Sequence, residues 1–505
     1  MRSQGNITVD GTLVVAHQGS VVQVSDDAVV TNNGTINVNL TTPTLGSRDF
    51  MVLGSPMTAD TRTGVWNSAF LVLNHNTANF VPNPAVAAAF PGAENFADDN
   101  YDNWTAYSGG INPAEGYIVR PQSGYGQPGG IFNYTYDQGT LNNGAQPFAV
   151  IYNTPGPTPA DNKNASPNIL ANPYASAIWA NDFINANAMV DEVYFWEHNT
   201  PPSPNLPGAG SMNFSMEDIS MYNLAGGTPA ASGGSAPNGY IATGQGFGIK
   251  ASAAGTAVFN NAMRRVDNNN TLRDAGQTVM DRLWIEVSTP EFGMQHTTLI
   301  AFSDHTTAGL DKGYDSRRLA TVLSLYTFPE DGQTELGIQS REAFQTGMKV
   351  PMGFSTLIAD EVAYEISIAN IEGEHLANAT VYLVDNELGN IVSLNDGSYT
   401  FAAKDGTYDG RFTIVFEGEQ VLGSPSNGLE ALSLYPNPTK GLVTVFSPKA
   451  PIEQVKVYDV QGRVVATTAE KGFSVRLDLN HLKGAIYLVE ITTQEGTLTK
   501  RLIKE

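Results

Sequence analysis

The sequence predicts an all-β, multidomain protein, and three observations predict it. Apolar segments of strand length alternate Val, Ile, Leu and aromatic residues with polar ones along almost the whole chain. Gly and Pro, 50 and 28 of 505 residues, punctuate those segments, with Asn, Ser and Thr filling the gaps. Charged residues make up only 15%, a composition that suits sheets joined by many turns better than a helical enzyme.

The bulk numbers exclude several classes of function. A formal net charge of −23 argues against nucleic acid or anionic lipid as partners. With no cysteine, the chain has no disulfide scaffold, no thiol nucleophile and no thiolate zinc site. No stretch approaches the roughly 18 consecutive apolar residues of a membrane-spanning helix. The start, MRSQGNITVDGTLVV, lacks the basic and long apolar segments of a secretory signal. The expectation is therefore that an exported form begins upstream of Met1, as the end of a longer protein.

Taken in order, residues 1–45 read as short strands with Gly5, Gly11, Gly19 and Gly34 at the corners. Two arrangements fit them, the end of a β-solenoid or a three-stranded meander. Residues 46–275 read as a loop-rich β domain. Runs such as NTPGPTPADNKNASPN and HNTPPSPNLPGAGS separate strands such as FLVLN, GYIVRP, EVYFWEH and GYIATGQGFGIKA. Residues 175–187 read as a helix with Ile178, Phe183 and Ile184 on one side. Residues 276–422 carry eight regularly spaced strands, from RLWIEVS to GRFTIVFEG, with DG and NDG turns. That spacing predicts a jelly-roll-like β-sandwich. A linker, GSPSNG at 423–428, leads to seven more short strands over 429–505. This last block holds ten Lys or Arg against eight Asp or Glu, whereas the rest holds seventeen against forty-two. An acidic body thus ends in a slightly basic module with a separate task.

The module opens on LYPNPTKG, residues 434–441. Proline fixes φ and donates no amide, so Pro436 and Pro438 end one strand and aim the next, Asn437 tolerates the turn, and Gly441 releases the chain into LVTVF. YPNPTKG, then VKVYDVQGRVV, then GAIYLVEITTQEGTLTKRLIKE resemble, in that order, the C-terminal sorting domain (type A) of type IX secretion substrates of Bacteroidota. The resemblance implies a seven-stranded Ig-like sandwich read by the type IX secretion machinery after the cargo folds. It also implies cleavage in the linker on release or attachment at the cell surface. Carried over residue by residue, the sorting signal comprises Pro436, Asn437, Pro438, Gly441, Gly462, Arg463, Gly484, Tyr487, Lys500 and Lys504. The glycines and Tyr487 suit structural roles; Arg463, Lys500, Arg501 and Lys504 suit polar contacts to the machinery. Upstream, ANPYASAIWANDFI, EVYFWEH, GYIATGQGFGIKA and VFNNAMR resemble the region before such domains in large flavobacterial surface proteins. That likeness implies a non-catalytic surface region, of the kind found at the end of much longer adhesin-like or enzyme chains.

No nucleophile elbow, zinc-protease helix or phosphate loop occurs. His198 and His305 stand beside acids, and Asp191, Glu192 and Glu197 flank an aromatic strand. A paired-carboxylate hydrolase built on them is a minor reading, and the expectation is no catalytic residue. Asp98, Asn100 and Asp102 place oxygens at alternate positions, as a calcium loop begins, and Asp304, Asp311 and Asp315 form a second acidic cluster. Structural Ca²⁺ at these residues competes with the plainer expectation of solvated turns. Tyr101, Trp104, Tyr107, Tyr125, Tyr134 and Tyr136 lie in or beside Gly- and Asn-rich loops. Such aromatics either stack on sugar rings, with surface polysaccharide or glycan as partner, or build small satellite cores. Two functions follow: an exported structural or adhesive surface protein, or a carbohydrate-binding accessory region of a secreted hydrolase.

Overall fold

In a computed structural model of the chain, the described residues are 1–505 without 101–102, 124–127, 154–166, 211, 271–279, 419–432, 436, 448–450, 469–470, 494–495 and 505. Strand accounts for 48% and helix for 7%, so the protein is all-β. It divides into two compact units: residues 1–343, 354–373 and 400–407, and residues 344–353, 374–399 and 408–505. The first unit runs unbroken across positions 45 and 275, where the composition changes.

The first unit begins with strands paired in parallel, Arg2–Ser3 with Val22–Gln23 at an offset of 20 residues and the next two pairs at 23. Ile7–Val9 pairs with Val30–Asn32, and Thr12–Val15 with the start of Thr35–Thr41, each 23 residues on. A meander would have paired neighbours antiparallel; this chain coils, and each turn stacks on the last. The corners show why glycine stands there. A Cβ on Gly34 would lie 2.0 Å from the Gly11 carbonyl oxygen, so the coil closes only without one. Val9, Val15, Ile36, Val38 and Leu40 then share one core with Leu53, Trp66, Tyr117 and Tyr136.

Long loops in this unit are ordered by buried amides. Asn142 donates from Nδ2 to the carbonyls of Ser55, Met57 and Pro173 at 3.0–3.3 Å, and Asn172 to those of Ser176, Ile241 and Ala242 at 2.8–3.0 Å. Backbone groups without strand partners still need one when buried. The abundance of Asn is how this chain supplies it. The expected helix is shorter than its pattern: Ala177–Trp179 is strand, pairing with Tyr240–Ile241 and Arg264–Arg265, and the helix covers Ala180–Ala186. Tertiary pairing outweighs local periodicity there.

All eight segments expected between 276 and 422 are strands. In the first unit, Leu323–Thr327, Leu336–Arg341, Met294–Phe302, Asp281–Thr289 and Val362–Glu372 lie side by side, and the contact of Met294–Phe302 with Leu336–Arg341 is parallel.

In the second unit, Ala379–Asp385 pairs antiparallel with Gly406–Gly418 and with Asn390–Ser393. Asp385 is fully buried there, and the Arg411 guanidinium (3.2 Å) and the Tyr399 hydroxyl (2.9 Å) satisfy it. The last block forms all seven expected strands in two antiparallel sheets. Ser433–Tyr435, Leu442–Phe446 and Ser474–Asp478 make one; Val464–Thr468, Ile452–Tyr458, Ala485–Thr493 and Gly496–Lys504 make the other. Their shared core, from Leu434 to Leu502, contains Val443, Val445, Ile452, Val455, Val457, Val475, Leu477, Tyr487, Val489 and Ile491, all from the block itself.

Candidate functional site

In the C-terminal block the YPNPTKG corner is tied to the last strand. Asn437 donates from Nδ2 to the Arg501 carbonyl and accepts at Oδ1 from the Ile503 amide, both at 2.8 Å. The Thr439 amide donates to the Ile503 carbonyl, and the Thr439 hydroxyl bridges to Leu442 O and Gly441 N. The Asn437–Pro438 peptide is cis. Gly441 has φ +154°, and a Cβ there would lie 1.9 Å from Asn480 Oδ1.

Gly462 has φ +78° in the hairpin tip, with open space around it. Arg463 beside it is exposed and pairs with Asp459 at 2.7–2.8 Å. Gly484 is an exposed bend before Ala485–Thr493. Tyr487 is buried, and its hydroxyl donates to Lys483 O at 2.8 Å, a corner of the kind Ig-like sandwiches use. Lys500 is half-buried, and burial holds its ammonium below the usual lysine range. Lys504 departs from the expectation of a free polar contact. It is 8% exposed, and its ammonium donates to Lys440 O at 2.7 Å, closing the corner. Pro436 and the 423–428 linker lie outside the described residues.

The first unit contains a cleft of about 450 Å³. One wall is the antiparallel sheet of Met51–Leu53, Tyr117–Arg120, Leu71–His75 and Trp104–Ala106, contributing Val52, Leu73, His75, Trp104 and Ile118. The other comes from Pro167–Ala171, Gly246–Lys250, Val193–Trp196 and Ile219–Tyr222. Gly246 and Gly248 also line it, and a Cβ on Gly246 would lie 2.2 Å from Val52 Cγ1, so the two walls meet there only without one. Residues 207–210 and 212–214 supply a rim. Asn213 shapes it by donating to Leu206 O (2.9 Å) and Gly210 O (3.0 Å) and accepting from Gly210 N (2.7 Å).

Aromatic rings dominate the lining. Phe50 stacks on Trp196 at 5.6 Å and meets Phe214 edge-on at 5.2 Å, and Trp104 meets His75 at 4.7 Å. Trp104, Trp196, Phe96 and Phe214 are half-buried, so part of each ring stays open. Burial pushes His75 down to about 3, so its imidazole is neutral near pH 7.

A second cavity of about 330 Å³ adjoins the first and shares Phe50, Val52, Phe195, Trp196 and Gly246 with it. Here His198 Nε2 lies 3.0 Å from Phe50 N and 2.7 Å from Phe50 O, and Nδ1 lies 3.5 Å from Asp49. Burial lowers the pKa of His198 while Asp49 works to raise it. Glu197 accepts from the Ser220 hydroxyl at 2.9 Å.

The structure separates the remaining sequence candidates. Asp98 and Asn100 reach the cleft, but Asp98 already accepts from the amides of Val81 (2.8 Å) and Asn100 (3.1 Å). Asp102, Tyr101 and Tyr125 lie outside the described residues. Asp304, Asp311 and Asp315 do not form a cation cage. Asp304 is exposed beside His305. Asp311 accepts from Thr307 N (2.6 Å), and Asp315 from Asp311 N and Ser340 N (both 2.7 Å). Among the described residues no cluster of three or more His, Asp or Glu is placed to hold a metal.

Of the loop aromatics, Trp104 lines the cleft, whereas Tyr134 and Tyr136 turn into the core because they alternate inward along Asn133–Tyr136. Glu192 is buried, 2.9 Å from the Tyr194 hydroxyl and 3.1 Å from that of Ser316, and burial pushes it up to about 7. The sequence reading missed Phe50, Phe96 and Phe214 as lining residues. They stand singly in loops, and only the fold gathers them.

Comparison with known proteins divides the chain just ahead of the C-terminal block, within the second compact unit. Residues 2–416 match the family profile described as Domain of unknown function (DUF8693), and residues 433–505 match the Secretion system C-terminal sorting domain. No curated protein matches the chain. Solved structures give weak likenesses. A polysaccharide lyase shares 9% identity at TM-score 0.16 over 45% of this chain and 39% of that one. The Endo-D glycoside hydrolase domain of Streptococcus pneumoniae R6 shares 12% at 0.11 over 32% and 36%, and a biofilm-associated protein BSP domain 9% at 0.17 over 92% and 98%. The chain thus spans well under half of the first two. Its sorting domain marks export by type IX secretion to the cell surface or extracellular space, and the chain belongs to the DUF8693 family.

Proposed function

We propose that the exported body is a non-catalytic adhesive module that binds glycan at the surface, with the C-terminal block as its engagement point for the secretion machinery. The aromatic cleft carries this reading. Open faces of Trp104, Trp196 and Phe214 beside Asn100, Asn103 and Asp98 combine apolar surface for C–H faces of sugars with acceptors and amides for their hydroxyls. No lysine or arginine stands among the described lining residues, which disfavours an anionic ligand.

The test is a glycan array probed with the full chain and with Trp104→Ala. Retention of neutral glycans by the wild type, reduced at least tenfold in the variant, supports the reading. Absence of any glycan signal, or equal signal from both proteins, overturns it. For export, deleting residues 429–505 should leave the body folded and trapped in the periplasm, and fusing them behind a periplasmic passenger should send it outside. A passenger that stays inside would remove the role assigned to the block.

A further inference from the structure

We infer that the smaller cavity is a second subsite of the same glycan site, so that the body grips a chain of neutral sugars across Phe50 and Trp196 and rejects chains containing uronate. This rests on the glycan reading above and adds the length and charge class of the ligand. The two cavities lie side by side and share a wall. Five residues line both, and the ridge between them is the stacked Phe50–Trp196 pair, 26° from parallel. A monomer-sized ligand needs one cavity, whereas two that share an aromatic ridge are matched to neighbouring units of a polymer.

Both ends of this site carry the same sign. Asp49 and Glu197 line the smaller cavity and Asp98 the larger, with no lysine or arginine among the described lining residues of either. A carboxylate on the ligand would meet fixed like charges within partly desolvated walls, where repulsion exceeds its value in water. Hydroxyls instead find acceptors in Asp49 and Glu197 and amides in Asn238, Gln245 and Asn270.

The test is calorimetric titration of the full chain with gluco-, manno- and xylo-oligosaccharides of one to six residues, and with oligogalacturonates of equal length. Affinity for the preferred neutral series should rise at least tenfold from one residue to four. Tyr240→Ala, which alters the smaller cavity alone, should remove most of that gain and leave the shortest binder unchanged. Glu197→Gln, with an unchanged melting temperature, should raise oligogalacturonate affinity at least threefold. Length-independent binding with Tyr240→Ala silent would overturn the two-subsite inference while leaving the glycan reading standing. Tighter binding of oligogalacturonate than of neutral chains would overturn the charge class. If no oligosaccharide binds at any length, both fall together.

Discussion

Asn437 holds Ile503 by its backbone: the side-chain oxygen of Asn437 accepts the Ile503 amide at 2.8 Å while its nitrogen donates to Arg501 O. The turn before Leu442–Phe446 thereby covers the free edge of the last strand, which a sheet must otherwise protect. Asn437→Ala removes two hydrogen bonds and is expected to cost the block about 1–3 kcal/mol. Hydrogen exchange on the full chain is the check. The Ile503 and Thr439 amides should lose protection while the amides of Asp281–Thr289 keep theirs.

Gly441→Ala attacks the same corner by another route. The added methyl would collide with Asn480, and the backbone at φ +154° disfavours any side chain. A cost of about 1–3 kcal/mol is expected. Paired with Asn480→Ala, which removes the collision but not the strain, part of that loss should return. A double variant no better than Gly441→Ala would show that backbone strain alone sets the cost.

Stability should depend on pH through Glu192. Its pKa is raised from the ordinary carboxylate value to about 7, with burial the largest cause and Lys250 opposing it. A raised folded-state value means the native protein holds a proton that the unfolded chain has released. The stabilisation is therefore full below about 4.5 and lost as pH rises through about 7. Glu217 and Asp315, also pushed to about 7 by burial, act in the same direction. Melting temperature is expected to fall between pH 5.5 and 8, and Glu192→Gln should flatten that fall. An identical slope in the variant would contradict the assignment. On the acid side His75 and His296, lowered to about 3 by burial, contribute stability that is present above about 6.5 and lost as pH falls toward 3.

Calcium offers a separate check. Asp315 already spends both oxygens on backbone amides and Asp311 one of its two, and added calcium is expected to leave the melting temperature within a degree of that in chelator. A rise of several degrees would show that the loop rearranges around the ion.

Strands were legible in the sequence because alternation survives any packing. All seven C-terminal strands and all eight of the 276–422 segments are observed. Pairing was not legible, because it depends on distant partners. Nothing local distinguishes the parallel coil at Thr12–Val15 and Thr35–Thr41 from a meander, although the equal spacing of Gly11 and Gly34 behind those strands was a usable signal. The cleft was half legible: Trp104 stood out in its loop, but Phe50, Trp196 and Phe214 come from three segments that only folding brings together. Lys504 looked like a surface charge because charge alone does not reveal a carbonyl waiting 2.7 Å away.

The C-terminal block keeps its apolar interior to itself, from Leu434 to Leu502. A protease that cuts ahead of it therefore leaves that interior dry, and parting the two products uncovers the seam where Phe446 meets Tyr382 and Lys349 covers Tyr435. The shipping tag can therefore part from its cargo outside the cell, where no chaperone and no ATP are at hand, and keep its own fold as it leaves.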